Sequence, residues 1–131
     1  MSDIGEVLTG TGLVALGTGE ALGATQAFGG AMLTVAGLLA MLAAQEAGQA
    51  AAWRIADIAA MRALLAEGGA AVPEVAEGFT LEALDAAWNA LSAALDAHHA
   101  EVEARGDRMR DAAICAFYRD STARRGLVWP G

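Results

Sequence analysis

The stretch IGEVLTGTGLVALGTGEALGATQAFGGAMLTVAGLLAMLAA, Ile4 to Ala44, is both the most apolar and the most glycine-rich part of the chain, and its reading decides the fold. Gly5, Gly12 and Gly19 stand seven residues apart, Gly10 and Gly17 do the same, and Gly23, Gly30 and Gly37 form a third set. Seven residues make about two turns of an α-helix, so each set lines one side of a helix and clears that side for another backbone. Nine glycines from Gly5 to Gly37 would cost about 7 to 9 kcal/mol relative to alanine in a helix. Neighbouring helices or lipid must offset that, or the part around Thr9 to Gly19 runs as a turn-rich arm.

From Ala27 to Ala44 the only polar side chain is Thr34. Eighteen such residues meet the lower limit for crossing a bilayer, and the uncharged run extends from Ala21 to Gln45, between Glu20 and Glu46. Two readings stay open: a membrane-inserting helix, or a helix wholly buried in a helical oligomer. Asp3, Glu6 and Glu20 precede the run and Arg54 and Arg62 follow it. A single span would therefore leave the amino terminus outside and the body in the cytoplasm. Small residues at Gly29, Gly30, Ala36, Gly37, Ala40 and Ala44 would form its helix-association face.

At 131 residues the chain is expected to be one structural domain. Alanine is its commonest residue and β-branched residues are few, which favours helix over sheet. An apolar fraction of 56% implies that surface is buried against copies of the chain, a partner or lipid. The net charge is −8, and the basic residues come late: residues 1 to 79 hold eight acids and two arginines, the remainder eight acids and six arginines. An acidic chain without lysine lacks the clustered cations that nucleic-acid phosphates require. It also has no lysine for a phosphate-binding loop or a Schiff base. The opening MSDIGEV lacks the basic segment of a cleaved secretory signal.

Beyond Glu46, Ile55, Ile58, Met61 and Leu65 recur at helical intervals while Arg54, Asp57 and Glu67 are free to face water, an amphipathic helix ended by Gly68 and Gly69. Residues 1–67 thus read as the glycine-rich apolar and amphipathic segment, 68–79 as a linker, 80–122 as a second helical segment and 123–131 as an extended tail carrying Trp129. Thr80 is placed to N-cap, Glu82 to complement the helix dipole, and Phe79 to staple against Leu84. Leu81, Leu84, Trp88, Leu91, Leu95, His98, Val102 and Met109 alternate four- and three-residue steps, a coiled-coil-like heptad seam whose register lapses at Arg105. Gly106 either bends this helix or ends it, with Asp107 then capping a shorter one.

No catalytic, cofactor-binding or metal-binding set stands out. His98 and His99 have Asp96, Glu101 and Glu103 nearby but no second ligand cluster, and His98 on the seam reads as a satisfied interior histidine. Cys115, between Ile114 and Ala116, reads as a small buried residue. Gly10-Thr11-Gly12-Leu13-Val14-Ala15 matches a dinucleotide fingerprint in letters, without a strand before it.

The second half, with Leu84, Trp88, Leu91, Leu95, Gly106, Met109, Ala112, Ala113, Tyr118 and Asp120, resembles the small helical substrates of type VII (ESX, WXG-type) secretion over about forty residues. Asn89 and Ala90 follow Trp88, so the W-x-G turn is missing, and Thr122 stands where that family has an acid after the tyrosine. The first half resembles the glycine-rich helices of phage ejection and tape-measure proteins.

The expectation is an all-α, non-enzymatic assembly protein, virion- or membrane-associated, that packs with copies of itself or in a larger complex, with lipid a candidate partner and no nucleic acid or small-molecule substrate. Its helix-packing interfaces are Gly12, Gly19, Gly23, Gly30 and Gly37 in the first half and Leu81, Leu84, Trp88, Leu91, Leu95 and Val102 in the second. The alternative, which the type VII resemblance implies, is a secreted helical module bound to a small partner.

Overall fold

A computed structural model describes residues 3–130, and the protein is all-α: four helices, with no strand among the described residues. They are α1 (Ile4–Gly23), α2 (Ala27–Glu67), α3 (Leu81–Arg105) and α4 (Arg108–Arg124). The described residues form two compact units that divide between Gln49 and Ala50, with Leu127 to Pro130 belonging to the first.

The first unit is an antiparallel helical hairpin. Asp3 caps α1 by accepting from the Gly5 N–H, and the N–H groups of Thr25 and Gln26 both donate to the Leu22 carbonyl as the chain turns. The glycines then pair as mirror images across that turn. A Cβ added at Gly12 would lie 2.9 Å from the Gly37 carbonyl oxygen, and one at Gly37 would lie 2.8 Å from the Gly12 oxygen. One turn pair nearer the tip, a Cβ at Gly19 would lie 2.8 Å from the Gly30 oxygen and one at Gly30 2.7 Å from the Gly19 oxygen. Gly5 faces Ala44 at a looser 3.6 Å. Backbone thus packs directly on backbone at seven-residue intervals, a separation no side chain admits. Gly12, Gly19, Gly30 and Gly37 are accordingly buried, whereas Gly23 is exposed beside the turn, its Cα under Gly30. Gly10 and Gly17 meet nothing within 4 Å and line the outer side of α1. The region from Thr9 to Gly19, including the GxGxxA letters, is therefore helix, and offers no strand-to-helix phosphate loop.

The second unit packs the later part of α2 with α3 and α4. Its core is Met61 and Leu65 from α2, Leu91, Leu95 and Val102 from α3, and Ile114 and Phe117 from α4. The helices stop where local chemistry makes them stop. Gly69 and Gly106 both have positive φ, and after each the backbone closes with the paired bonds of a Schellman turn: Ala70 to Leu65 and Gly69 to Ala66, then Asp107 to Val102 and Gly106 to Glu103. Thr80 accepts from the Ala83 N–H and Asp107 from the Arg110 N–H, starting α3 and α4. Gly106 thus ends the helix, and α4 folds back along α3 to join Tyr118 with Asp96 and His99 with Asp111. Met109, past that turn, is exposed and does not continue the seam.

The inner and outer glycines of the hairpin should respond to one methyl group with opposite signs. Gly30→Ala and Gly12→Ala force backbone atoms apart and should destabilise the hairpin by about 1 to 3 kcal/mol. Gly10→Ala and Gly17→Ala enter open space and should each stabilise it by up to about 1 kcal/mol. Denaturant melts of the four variants under one set of conditions, followed by circular dichroism, check the sign.

Candidate functional site

The structure offers two kinds of surface, one in each unit. In the hairpin, the glycines consume the inner faces, so the larger apolar side chains point outward: Val14 is 71% and Phe28 82% exposed, and Leu13, Met32, Val35 and Leu39 are exposed as well. Two threonines in this region satisfy their hydroxyls within their own helix. Thr11 donates to the Val7 carbonyl and Thr34 to the Gly30 carbonyl. On the outer side, Gly10, Thr11, Val14, Thr18 and Leu33 line a shallow hollow of about 420 Å³. The charged residues of the hairpin stand at its two ends, Asp3, Glu6 and Glu46 at the open end and Glu20 one turn before the tip.

In the second unit the seam residues divide. Leu84, Leu91, Leu95 and Val102 are buried, Trp88 is half-buried, and Leu81 at the first helical position is half exposed. The largest departure from the sequence reading is Asp57. Assigned there to the water-facing side, it is 0% exposed. Three donors converge on it: the Trp88 indole N–H at 3.1 Å and the Ser121 hydroxyl at 2.5 Å reach Oδ2, and the Arg124 guanidinium reaches Oδ1 at 2.6 Å. One carboxylate therefore ties α2 to both α3 and α4. Arg54, also read as solvent-facing, is mostly buried, with its guanidinium 2.6 Å from Asp85 and 4.2 Å from the Trp53 ring centroid. Trp53 meets Trp88 edge to face at 6.1 Å, and Arg125 covers both rings. The buried stripe of α2 accordingly runs through Ala50, Trp53, Asp57, Met61 and Leu65, and Ile55, assigned to the apolar face, is half exposed.

Other expectations also change. Phe79 makes no staple; it is 90% exposed and lines an apolar hollow of about 600 Å³ with Ile55, Ile58, Arg62 and Leu84. His98 is interior, but neither ring nitrogen has a hydrogen-bond partner, and its ring fills the space that a side chain at Gly68 would occupy. Cys115 is exposed. It lies on the α4 face that also carries Asp111, whose Oδ1 is 2.8 Å from His99 Nε2 and 3.8 Å from Cys115 Sγ. No protein-family model, curated protein or solved structure matches this chain.

Tyr118 has its hydroxyl pushed up to about 12, first by burial and then by its hydrogen bond to the Asp96 carboxylate, with the charges of Asp96, Cys115 and Glu103 adding to it. Above pH 10 an unfolded tyrosine ionises while the folded one holds its proton, so this contribution to stability is complete below pH 10 and is lost as pH rises toward 12.

Two measurements follow. Because Tyr118 is the sole tyrosine, a spectrophotometric titration of tyrosinate should show one midpoint near pH 12, moving down toward the ordinary value in Asp96→Asn. Asp57→Ala should destabilise the second unit by about 3 kcal/mol, the low end for an orphaned buried pair because Arg124 can reach water. Ser121→Ala should cost about 1.5 kcal/mol. The double variant should cost less than the two together, since both act through one carboxylate.

Proposed function

We propose that this chain is a non-enzymatic, membrane-associated assembly protein whose first unit is inserted in lipid as a helical hairpin and whose second unit carries its polar contacts. The observation that supports the reading is the inverted distribution of side chains in the hairpin: glycine against glycine at the closest contacts inside, and Leu13, Val14, Phe28, Met32, Val35 and Leu39 outside. A water-soluble pair would bury the large side chains and expose the small ones. In hydrocarbon no free energy is lost by leaving them outside, and close contact between small residues is what holds helices together there. α2 is long and apolar enough to cross a membrane. At 20 residues, α1 is about 30 Å long, the thickness of a bilayer's hydrocarbon core.

A hairpin changes the expected topology. Because Gly5 lies beside Ala44, both ends of the apolar hairpin leave on the same side, in place of the opposite sides that a single span implies. Glu20 then sits one turn from the far tip, within reach of the opposite headgroups. The outward Gly10 and Gly17 offer a second close-packing face, suited to a neighbouring copy, and that supports self-assembly within the membrane.

The untagged protein should sediment with membranes, resist alkaline carbonate and dissolve only with detergent. Single cysteines placed at Asp3 and at Glu74 in a Cys115→Ser background should both react with an impermeant thiol reagent from the same side of sealed vesicles. Labelling from opposite sides would replace the hairpin with a single span, and a soluble protein without detergent would remove the membrane reading.

A further inference from the structure

The geometry points to a transition-metal site formed by His99, Asp111 and Cys115, of the type that takes Zn²⁺. Each of the three offers one ligand atom, and these atoms all lie within 4.8 Å of one another. A tetrahedral zinc centre holds nitrogen, oxygen and sulfur donors at about 2.0 to 2.3 Å, which places the donors about 3.3 to 3.7 Å apart. The Asp111 to Cys115 separation of 3.8 Å is already near that value. His99 and Asp111, at 2.8 Å, need to part by about 0.5 Å to admit the ion, a change within the reach of side-chain rotation.

The ligands are carried on well-fixed elements. Asp111 and Cys115 stand four residues apart on one face of α4, and His99 comes from α3 across the hairpin. Val102 and Ile114, both fully buried, pack the two helices together close by, and the Gly106 turn joins them. A site on two packed helices needs no loop to be ordered before it binds. Thiolate with imidazole selects Zn²⁺ or Co²⁺ over Mg²⁺ or Ca²⁺, which prefer oxygen ligands. Binding moves the His99 proton to Nδ1, leaving Nε2 free to ligate, and releases the Cys115 proton to solvent; Asp111 ligates as the carboxylate. Three protein ligands leave a fourth position for water. A hollow of about 200 Å³ lined by Glu103, Asp107, Arg108 and Asp111 lies beside it. Asp96, Glu101 and Glu103, the acids near His99 in sequence, lie outside this cluster; the fold supplies Asp111 and Cys115 from α4 instead.

Co²⁺ titration of the full-length, chelator-treated and reduced protein tests the site. One equivalent should bind, with a thiolate-to-cobalt charge-transfer band and the intense visible bands of tetrahedral cobalt, and Zn²⁺ should displace it. Cys115→Ser, a change at an exposed position, should keep the helicity and lose the charge-transfer band. His99→Gln and Asp111→Asn should each weaken binding tenfold or more. Absence of saturable binding to the folded protein, a charge-transfer band that survives Cys115→Ser, or equal affinity in Asp111→Asn and the unaltered chain would each overturn the assignment.

Discussion

Backbone-on-backbone contact between α1 and the start of α2 is the constraint on which the first unit depends. At Gly12 with Gly37 and at Gly19 with Gly30, each carbonyl oxygen occupies the space where the partner's Cβ would be. Helices that approach so closely gain dispersion contacts and weak Cα–H···O bonds along the whole seam, enough to offset the conformational cost of glycine in a helix. The same contact sets what faces outward. With glycine along the inner stripe, flanked by Leu16 and Met41, the side chains of Leu13, Val14, Phe28, Met32, Val35 and Leu39 face outward, and the hairpin's exterior becomes apolar. The proposed assembly role rests on that one steric fact.

The second unit is organised by a different force. Its core of leucine, methionine, isoleucine and phenylalanine is ordinary for a small helical bundle, but Asp57 sits within it and is held by Trp88, Ser121 and Arg124. A carboxylate buried without partners would be untenable, and one with three donors is directional. Apolar seams tolerate slippage by a turn. The Asp57 donors do not, because a shift of either α3 or α4 would strip a bond from a buried charge. The network therefore specifies register where the alanine-rich helix faces specify little.

Much of the fold was legible in the sequence because its signals are local. Heptad-spaced glycines, the Gly68-Gly69 stop and the Thr80 cap each depend on a few neighbouring residues, and all-α content follows from them. What the sequence could not show depends on residues distant along the chain. Asp57 reads as a surface acid until Ser121 and Arg124, more than sixty positions on, are seen to reach it. Ile55 and Asp57 both lie on a helix whose polar and apolar residues are mixed, so periodicity alone assigns its buried stripe to the wrong residues. Phe79 and Cys115 have apolar neighbours in sequence but point the other way: Phe79 is 90% exposed ahead of α3, and Cys115 lies on the exposed face of α4 beside the buried Ile114. His99 could be paired with Asp111 and Cys115 only once Gly106 was known to end α3 and turn α4 back along it.

The central claim is that the hairpin presents its large side chains to lipid and its glycines to itself. Nitroxide labels at Val14, Phe28 and Leu39, placed singly in a Cys115→Ser background and reconstituted in vesicles, test it most directly through their collision rates with molecular oxygen and with a water-soluble nickel chelate. The account predicts high oxygen and low chelate accessibility at all three positions. Free collision with the chelate at these sites in vesicle-bound protein would show that the apolar surface faces water or another protein, and would contradict it.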